Sequence, residues 1–564
     1  MNSLSQKEIS CQLFHLAKES IKTIVLNSKC GLLVQVRVPK KSSINDISIL
    51  NNFSPLLCLY RKASPMFIHN KTSHGFDESS FKKEINPSTN AAMTLCLLEL
   101  SEYYSHYEEG NRNVLSLEKP FKYLAKEQLQ FYSENLRNNE GLFVDKKNIS
   151  DGNSKGFSLI DKDGNFKFSD QAFMMTAYLL YSHYNSDDEI SNDYLNFSHE
   201  ILNMLRDYKS ALYDLSFGEI AQVFLSLNIF YKYSADEDVK KLILDLGDFL
   251  ITKFQEKDYY LDSIDDCSLF YICLIEAYKH TEIISFKEMA KEIMEKLINL
   301  YDTDKNMFIK LNDKKESKYS CLEVNFYLLA LIISSLEEDN TTELRPLISG
   351  IYRKFFVNGG LLTSWPEAPT LDEVERYRKL SLRSDDMLDE TYFRMPICPT
   401  PKSTGLASVF VKSLNYSKKK DTLSINRNSF DSNKNMLNFF LIIYLLKDVV
   451  EDLMEFNSYS NLEMPIDLRN SDSEINPNIS NTINNTLCTQ DSSELIKSTI
   501  TLNSSIGKNS NSLDESKNKS VLKNPTNNLL LNKNNSPKIN SSLKNKKYKK
   551  NKTKTKNLHN TKKA

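Results

Sequence analysis

Five acidic residues stand where polar sequence turns strongly apolar: Asp170, Glu219, Asp265, Asp266 and Glu323. An ionised carboxylate among apolar residues is costly unless it is partnered. Acids in such places do one of two jobs. They cap the free N–H groups of a helix start and complement its dipole, or they serve as the acid and base of a reaction, one held protonated and the other ionised. Asp170 and Asp265 have the sequence position of caps. Glu219 and Glu323 lie further into their apolar stretches, where capping explains them less well. Asp170, Glu219 and Glu323 are taken as catalytic candidates, with Asp265 and Asp266 as ligand-binding acids.

A second constellation lies between residues 357 and 432. The turn Gly359-Gly360 leads to Trp365-Pro366-Glu367, then to Glu375-Arg376-Tyr377-Arg378, Arg383, and Asp385-Asp386-Met387-Leu388-Asp389-Glu390, with Arg394 beyond. Aromatic faces stack on sugar rings, while carboxylates and guanidinium groups hydrogen-bond hydroxyls or anions. Asp386 joins the catalytic candidates, and Trp365, Glu367, Tyr377, Arg383, Glu390 and Arg394 are binding candidates. The adjacent Asp385 and Asp386 suit a hard cation, but a solvated lid tied down by Arg–carboxylate pairs explains the same residues. A single Trp argues against an ordinary polysaccharide cleft with several aromatic platforms, and most of the 28 tyrosines fall at helical spacing, as packing residues do.

Other chemistries lack their motifs. There is no GxSxG, no P-loop and no GxGxxG. The nine cysteines are scattered without a CxxC pair and read as reduced core thiols. The eight histidines form no HxH or HxxxH pair, so neither a metal centre nor a cofactor is expected. Residues 1–6 are polar and the next apolar residues are broken by Lys7, Glu8, Lys18 and Glu19, unlike a signal peptide. The most apolar run, 436–446, falls short of the ~20 residues that span a bilayer. The expected location is the cytoplasm.

The elements that must position these residues are helices. Residues 4–26 read as an amphipathic helix, and 31–38 with 54–60 as a small strand pair. From residue 86 a rhythm sets in. Apolar segments at 87–104, 169–184, 216–233, 265–280 and 320–336 alternate with amphipathic ones at 118–136, 191–208, 237–254, 286–300 and 342–356, and a sixth apolar segment runs 434–454. A helix apolar on most sides must be surrounded by protein, and an amphipathic one belongs outside it. An interval near 50 residues points to repeated helix pairs. Residues 4–26 would supply the sixth outer helix. Residues 145–167 read as a loop or short hairpin.

This alternation resembles the (α/α)6 toroid of the six-hairpin glycosidases and their relatives, among them sugar epimerases, over roughly residues 86–456. One local feature adds to it: Gly141-Leu142-Phe143-Val144-Asp145 followed by Phe168-Ser169-Asp170-Gln171-Ala172, a glycine–aromatic turn before an inner helix that begins with an acid. The resemblance implies a mainly α fold whose inner helices run parallel, with their N-termini opening on one face. The acids at those starts would ring a central cleft and supply the two carboxyls of glycosidic cleavage, ~5–10 Å apart. An open α-solenoid is the alternative architecture.

Three regions follow: 1–85 with the first helix and strands, 86–457 with the helix pairs and the 357–432 insertion, and 458–564 rich in Asn, Ser and Lys. The last reads as a disordered tail. From residue 501 it holds sixteen lysines, no arginine and two acids, a formal +14 that leaves −15 for the rest of a chain totalling −1. The run KNKKYKKNKTKTK suits non-specific contact with an anionic surface or nucleic acid. The expected function is a carbohydrate-active enzyme, a glycoside hydrolase or sugar epimerase, acting on a small sugar or oligosaccharide. The alternative is a non-catalytic scaffold that binds a glycan or protein.

Overall fold

Helices without a polar side are stable only when other helices enclose them, and that requirement shapes this molecule. The computed structural model describes residues 6–35, 47–61, 67–70, 73–76, 81–106, 117–150, 156–311, 315–337, 341–366, 408–425 and 430–460. It divides the chain into Met1–Ile475 and Asn476–Ala564, the second wholly outside the described residues. Twelve helices of more than two turns follow one another among the described residues. They are α1 Gln6–Asn27, α2 Pro87–Ser105, α3 Glu118–Asn135, α4 Phe168–Tyr184, α5 Ser191–Asp207, α6 Phe217–Ser234, α7 Glu237–Glu256, α8 Ile264–Thr281, α9 Ile284–Ile298, α10 Cys321–Glu337, α11 Thr341–Ile351 and α12 Ser432–Ser460.

The six even-numbered helices form a closed inner ring. Each packs on the next, from α2 to α12, and α12 packs back on α2. The odd-numbered helices lie outside: α3 on α2, α5 on α4, α7 on α6, α9 on α8, α11 on α10, and α1 on α12. The first helix of the chain is thus the outer partner of the last inner one. The α12–α2 contact excludes the open solenoid. Side-chain bonds fix the direction of the ring. At one end Asn433 donates to Thr89 (3.1 Å) and Lys434 to Ser320 (2.6 Å), joining helix starts. At the other, Tyr184 meets Tyr233 (2.9 Å) and Tyr444 donates to Glu276 (3.0 Å), joining helix ends. All six inner helices run the same way.

Short strands fill the connections. β1 Gly31–Leu33 pairs antiparallel with β2 Leu56–Leu59 inside the two segments with β-type content, and β3 Phe67–Asn70 pairs with β4 Ser73–Phe76. β5 Glu84–Ile85, β6 Lys146–Asn148 and β7 Leu159–Asp161 form a sheet, so residues 145–167 contain a hairpin. β8 Tyr301–Asp302 pairs with β9 Met307–Phe308, and β10 Glu316–Ser320, β11 Ser413–Ser417 and β12 Thr422–Ile425 form a second three-stranded sheet. The fifth outer helix departs from the expected 342–356: it ends at Ile351 and continues as a π-helical turn, Tyr352–Val357.

Three inner helices are fastened by one device. Asn90 of α2 accepts from the Leu59 N–H (2.7 Å) and donates to the Leu59 carbonyl (3.3 Å). Gln171 of α4 does the same with Phe143 (3.0 and 2.8 Å), and Asn435 of α12 with Phe410 (2.8 and 3.0 Å). A side-chain amide carries one acceptor and a donor pair, so it satisfies both backbone groups of a buried residue in the segment leading to its helix.

The far end of the ring is closed by polar groups. Glu99, only 1% exposed, accepts from Tyr184 (3.2 Å), Tyr233 (3.3 Å) and Lys447 (2.9 Å), and Lys447 also bonds Glu102. These bonds tie α2, α4, α6 and α12 together at their C-termini. Among the described residues no helix is long and apolar enough to cross a membrane.

Candidate active site

The helix starts bring the acids to one face by different means. Asp170 is buried in the first turn of α4, and its Oδ1 accepts the N–H of Ser88 in the first turn of α2 (3.2 Å). It therefore caps its neighbour. Burial pushes its carboxyl up to about 6, the bond from Ser88 opposing and the charge of Asp145 assisting. Glu219 occupies the third position of α6, where Ser216 accepts its N–H (3.3 Å), and its side chain is half-exposed. That is the spacing of a capping box.

Asp265 and Asp266 begin α8, half-buried, and neither has a hydrogen-bond or ion-pair partner among the described residues. The Asp266 carboxyl lies over Gly218 of α6 so closely that a β-carbon on that glycine would stand 2.2 Å from Oδ1. Burial, and then the charges of Asp265 and Glu323, push Asp266 up to about 7. Glu323, in the first turn of α10, is buried. Its Oε2 accepts the Ser320 N–H (2.6 Å), completing a capping box, and its Oε1 takes a charged bond from Lys310. Lys310 is held in turn by the Lys318 carbonyl (2.7 Å). Burial raises the Glu323 carboxyl above the ordinary carboxylate range, with the Lys310 ammonium working against the rise and Asp265 with it.

Beside these acids, the starts of α10 and α12 and the strands β10 and β11 enclose a cleft of about 540 Å³. Glu323, Ser320, Lys310, Lys318, Lys412 and Lys434 stand on its walls. Asp265 and Asp266 are not wall residues; the charge of Asp265 acts on Glu323, and that of Glu323 on Asp266. Among the described residues no group of three or more His, Cys, Asp or Glu side chains is placed to hold a metal ion.

The structure thus sets Asp266, Asp265 and Glu323 near one another, while Asp170 caps the start of the neighbouring α2 and Glu219 stands half-exposed in the first turn of its own helix. Trp365 is elsewhere. It is buried and edge-on to Tyr352 of the π-helical turn (6.1 Å), whose hydroxyl bonds Gln12 of α1. Glu367, Tyr377, Arg383, Asp386, Glu390 and Arg394 lie outside the described residues. Lys310, Lys412 and Lys434 were not singled out by sequence reasoning. Nothing in the spacing links Lys310 to Glu323, and Lys412 reaches the cleft only because β11 pairs with β10 across nearly a hundred residues. Capping was expected to explain Glu323 less well than Asp170, yet Glu323 bonds the Ser320 N–H, and the Ser320-x-x-Glu323 spacing carried that signal.

No family model and no curated protein matches this chain. Solved structures do. An endoglucanase from the termite Nasutitermes takasagoensis aligns at 12% identity over 78% of this chain and 99% of its own, with a TM-score of 0.42. An α-mannanase from Bacteroides thetaiotaomicron aligns at 9% identity over 65% and 89%, with a TM-score of 0.35. A sugar epimerase from a ruminal bacterium aligns at 12% identity over 50% and 78%, with a TM-score of 0.34. The fold itself rests on this chain's own packing: six inner helices closed into a ring, each with an outer partner, which is the six-hairpin architecture of the glycosidase-like (α/α)6 toroids.

Proposed function

We propose that the face carrying the inner-helix N-termini is the active site of a carbohydrate-active enzyme, and that it cleaves a glycosidic bond in a small sugar or oligosaccharide by paired-carboxyl catalysis. One observation carries the reading. Two carboxyls on adjacent inner helices, Asp266 and Glu323, are held in contrasting surroundings beside a polar cleft. Asp266 has no cationic partner among the described residues, and burial holds its proton up to about pH 7. Glu323 is oriented by the Ser320 N–H and faces the Lys310 ammonium, which favours its ionised form. Burial raises both carboxyls, but only Glu323 faces a cation, so Asp266 suits the acid and Glu323 the base. With the scissile bond seated over the start of α8, beside the cleft rather than within it, Asp266 would protonate the leaving oxygen as its bond to the anomeric carbon breaks. Glu323 would take a proton from the water that adds to that carbon.

A scaffold that binds a glycan without turnover is the second reading. The capping roles of Glu323 and Asp170 favour it, since both are accounted for without chemistry. Product analysis on a panel of oligosaccharides separates the two. We expect product from the wild type, and turnover lower by about 10²–10⁴-fold in Asp266→Asn and in Glu323→Gln, the usual scale for general acid–base groups. Binding without product on every sugar would leave the scaffold. The reducing cytoplasm suits the seven described cysteines, all buried free thiols. The lysine run near the C-terminus would contact anionic surfaces or nucleic acid without sequence preference.

A further inference from the structure

Among the described residues four lysines stand on the cleft walls, and one of them is matched by a carboxylate. Lys310 pairs with Glu323. Lys318, Lys412 and Lys434 form no ion pair among the described residues. Lys434 donates to the Ser320 hydroxyl (2.6 Å), a neutral partner. Two further acids share the walls: Asp262 is engaged by Lys257 (3.3 Å), and the exposed Glu316 offsets one charge, which still leaves the lysines in excess.

The local structure puts these lysines where a ligand would meet them. Lys318 alternates with the buried Ser317 and Tyr319 along β10, so it projects to the side away from the core. Lys412 immediately precedes β11, whose Ser413 lies opposite Ser320. Lys434 lies in the first turn of α12, where the free N–H groups add partial positive charge. Like charges gathered in one concave site repel one another and raise the local concentration of counter-ions. A neutral sugar would relieve none of that repulsion.

We infer that the ligand of this cleft carries an anionic group on a hydroxyl-rich ring, seated against Lys318, Lys412 and Lys434. The inference rests on the carbohydrate reading given above and narrows it. The Ser320 hydroxyl and the Glu323 carboxylate address ring hydroxyls, and the three lysines address the charge. A carboxylate at the end of the ring, as in a hexuronic acid, and a phosphate ester, as in a hexose 6-phosphate, present the same chemistry to them.

Calorimetric titration of the full chain tests this. Glucose, galactose and mannose are each compared with the corresponding hexuronic acid and hexose 6-phosphate, with inorganic phosphate as a separate arm, at low and high salt. The expected result is binding at least about tenfold tighter for one charged form than for its neutral parent. That margin should shrink as salt rises. It should fall about tenfold in Lys412→Gln and in Lys434→Gln and stay as in the wild type in Lys291→Gln, on the exposed side of α9. A preference for uronic acids or for phosphate esters supports the inference and identifies the anion. Equal affinity for charged and neutral sugars overturns it and leaves the carbohydrate reading intact. Binding of inorganic phosphate as tightly as any sugar phosphate overturns both, as does binding of no sugar at all.

Discussion

Replacing Lys447 by Met should destabilise the ring at its far end. Lys447 is 6% exposed and its ammonium bonds two carboxylates, of which Glu99 is almost wholly buried. The methionine fills much of the same volume, so the effect is chiefly electrostatic. Removing one partner of a buried pair costs about 3–5 kcal/mol because the other charge is left uncompensated. The low end applies here, since Tyr184 and Tyr233 still donate to Glu99 and Glu102 is partly hydrated. With roughly 370 described residues and an unfolding entropy of ~2.1 cal/mol/K per residue, about 3 kcal/mol corresponds to a fall in Tm of ~4 °C. The pair itself need not be favourable over a neutral replacement. Glu99→Gln combined with Lys447→Met should therefore recover to within ~1 °C of the wild type. Thermal unfolding followed by circular dichroism measures all three variants with the wild type. The reasoning fails if Lys447→Met melts within ~1 °C of the wild type, or if the double variant is as unstable as the two single ones added together.

Two further outcomes follow from the helix starts. The folded chain holds protons on Asp170 up to about pH 6 and on Asp266 up to about pH 7. The unfolded chain releases them near pH ~4. Between these limits the folded state binds more protons, so these groups make stability fall as pH rises, until both states have released them. Asp170→Asn with Asp266→Asn should flatten that slope between pH 5 and 7.5 in denaturant titrations, and an unchanged slope would contradict the assignment. Gly218→Ala would set a methyl against the Asp266 carboxyl and force it aside. We expect about 1–3 kcal/mol of lost stability and an Asp266 pKa closer to that of an exposed carboxyl, read by carboxyl-carbon NMR; an unmoved resonance would sink the close contact.

The ring was legible because its signal is long. Six apolar segments, each more than three turns and separated by amphipathic ones, admit few other packings, and even the role of the first helix followed from the need for a sixth outer partner. Boundaries came within a few residues because Asn86-Pro87, Ser216 and Ser320 mark helix starts. The site was half legible. Acids at apolar helix starts stood out one by one, but which of them meet is set by how neighbouring helices turn about their axes. Gly218 makes room for Asp266 through a contact between two helices, and no period in either helix announces it. Rarity in the composition says nothing about exposure, and Trp365 lies buried against Tyr352. The charged bonds of Glu99 were invisible for a related reason: Lys447 lies nearly 350 positions along the chain.

The pairing of α1 with α12 dictates a schedule for biosynthesis. Helix α1 leaves the ribosome before the other eleven helices, with Ile9, Leu13, Phe14, Leu16, Ile21 and Ile24 ready for burial. Its main partner begins about 400 residues later, which at ~5–20 residues per second is a wait of roughly 20–80 seconds. Until then the growing chain is an incomplete arc with two open flanks, one at each terminus. Closing it joins the two described helices furthest apart in the sequence, the slowest kind of contact to form. A nascent chain halted before residue 432 should therefore be captured by chaperones that recognise apolar helices, and release should come with synthesis of the last inner helix.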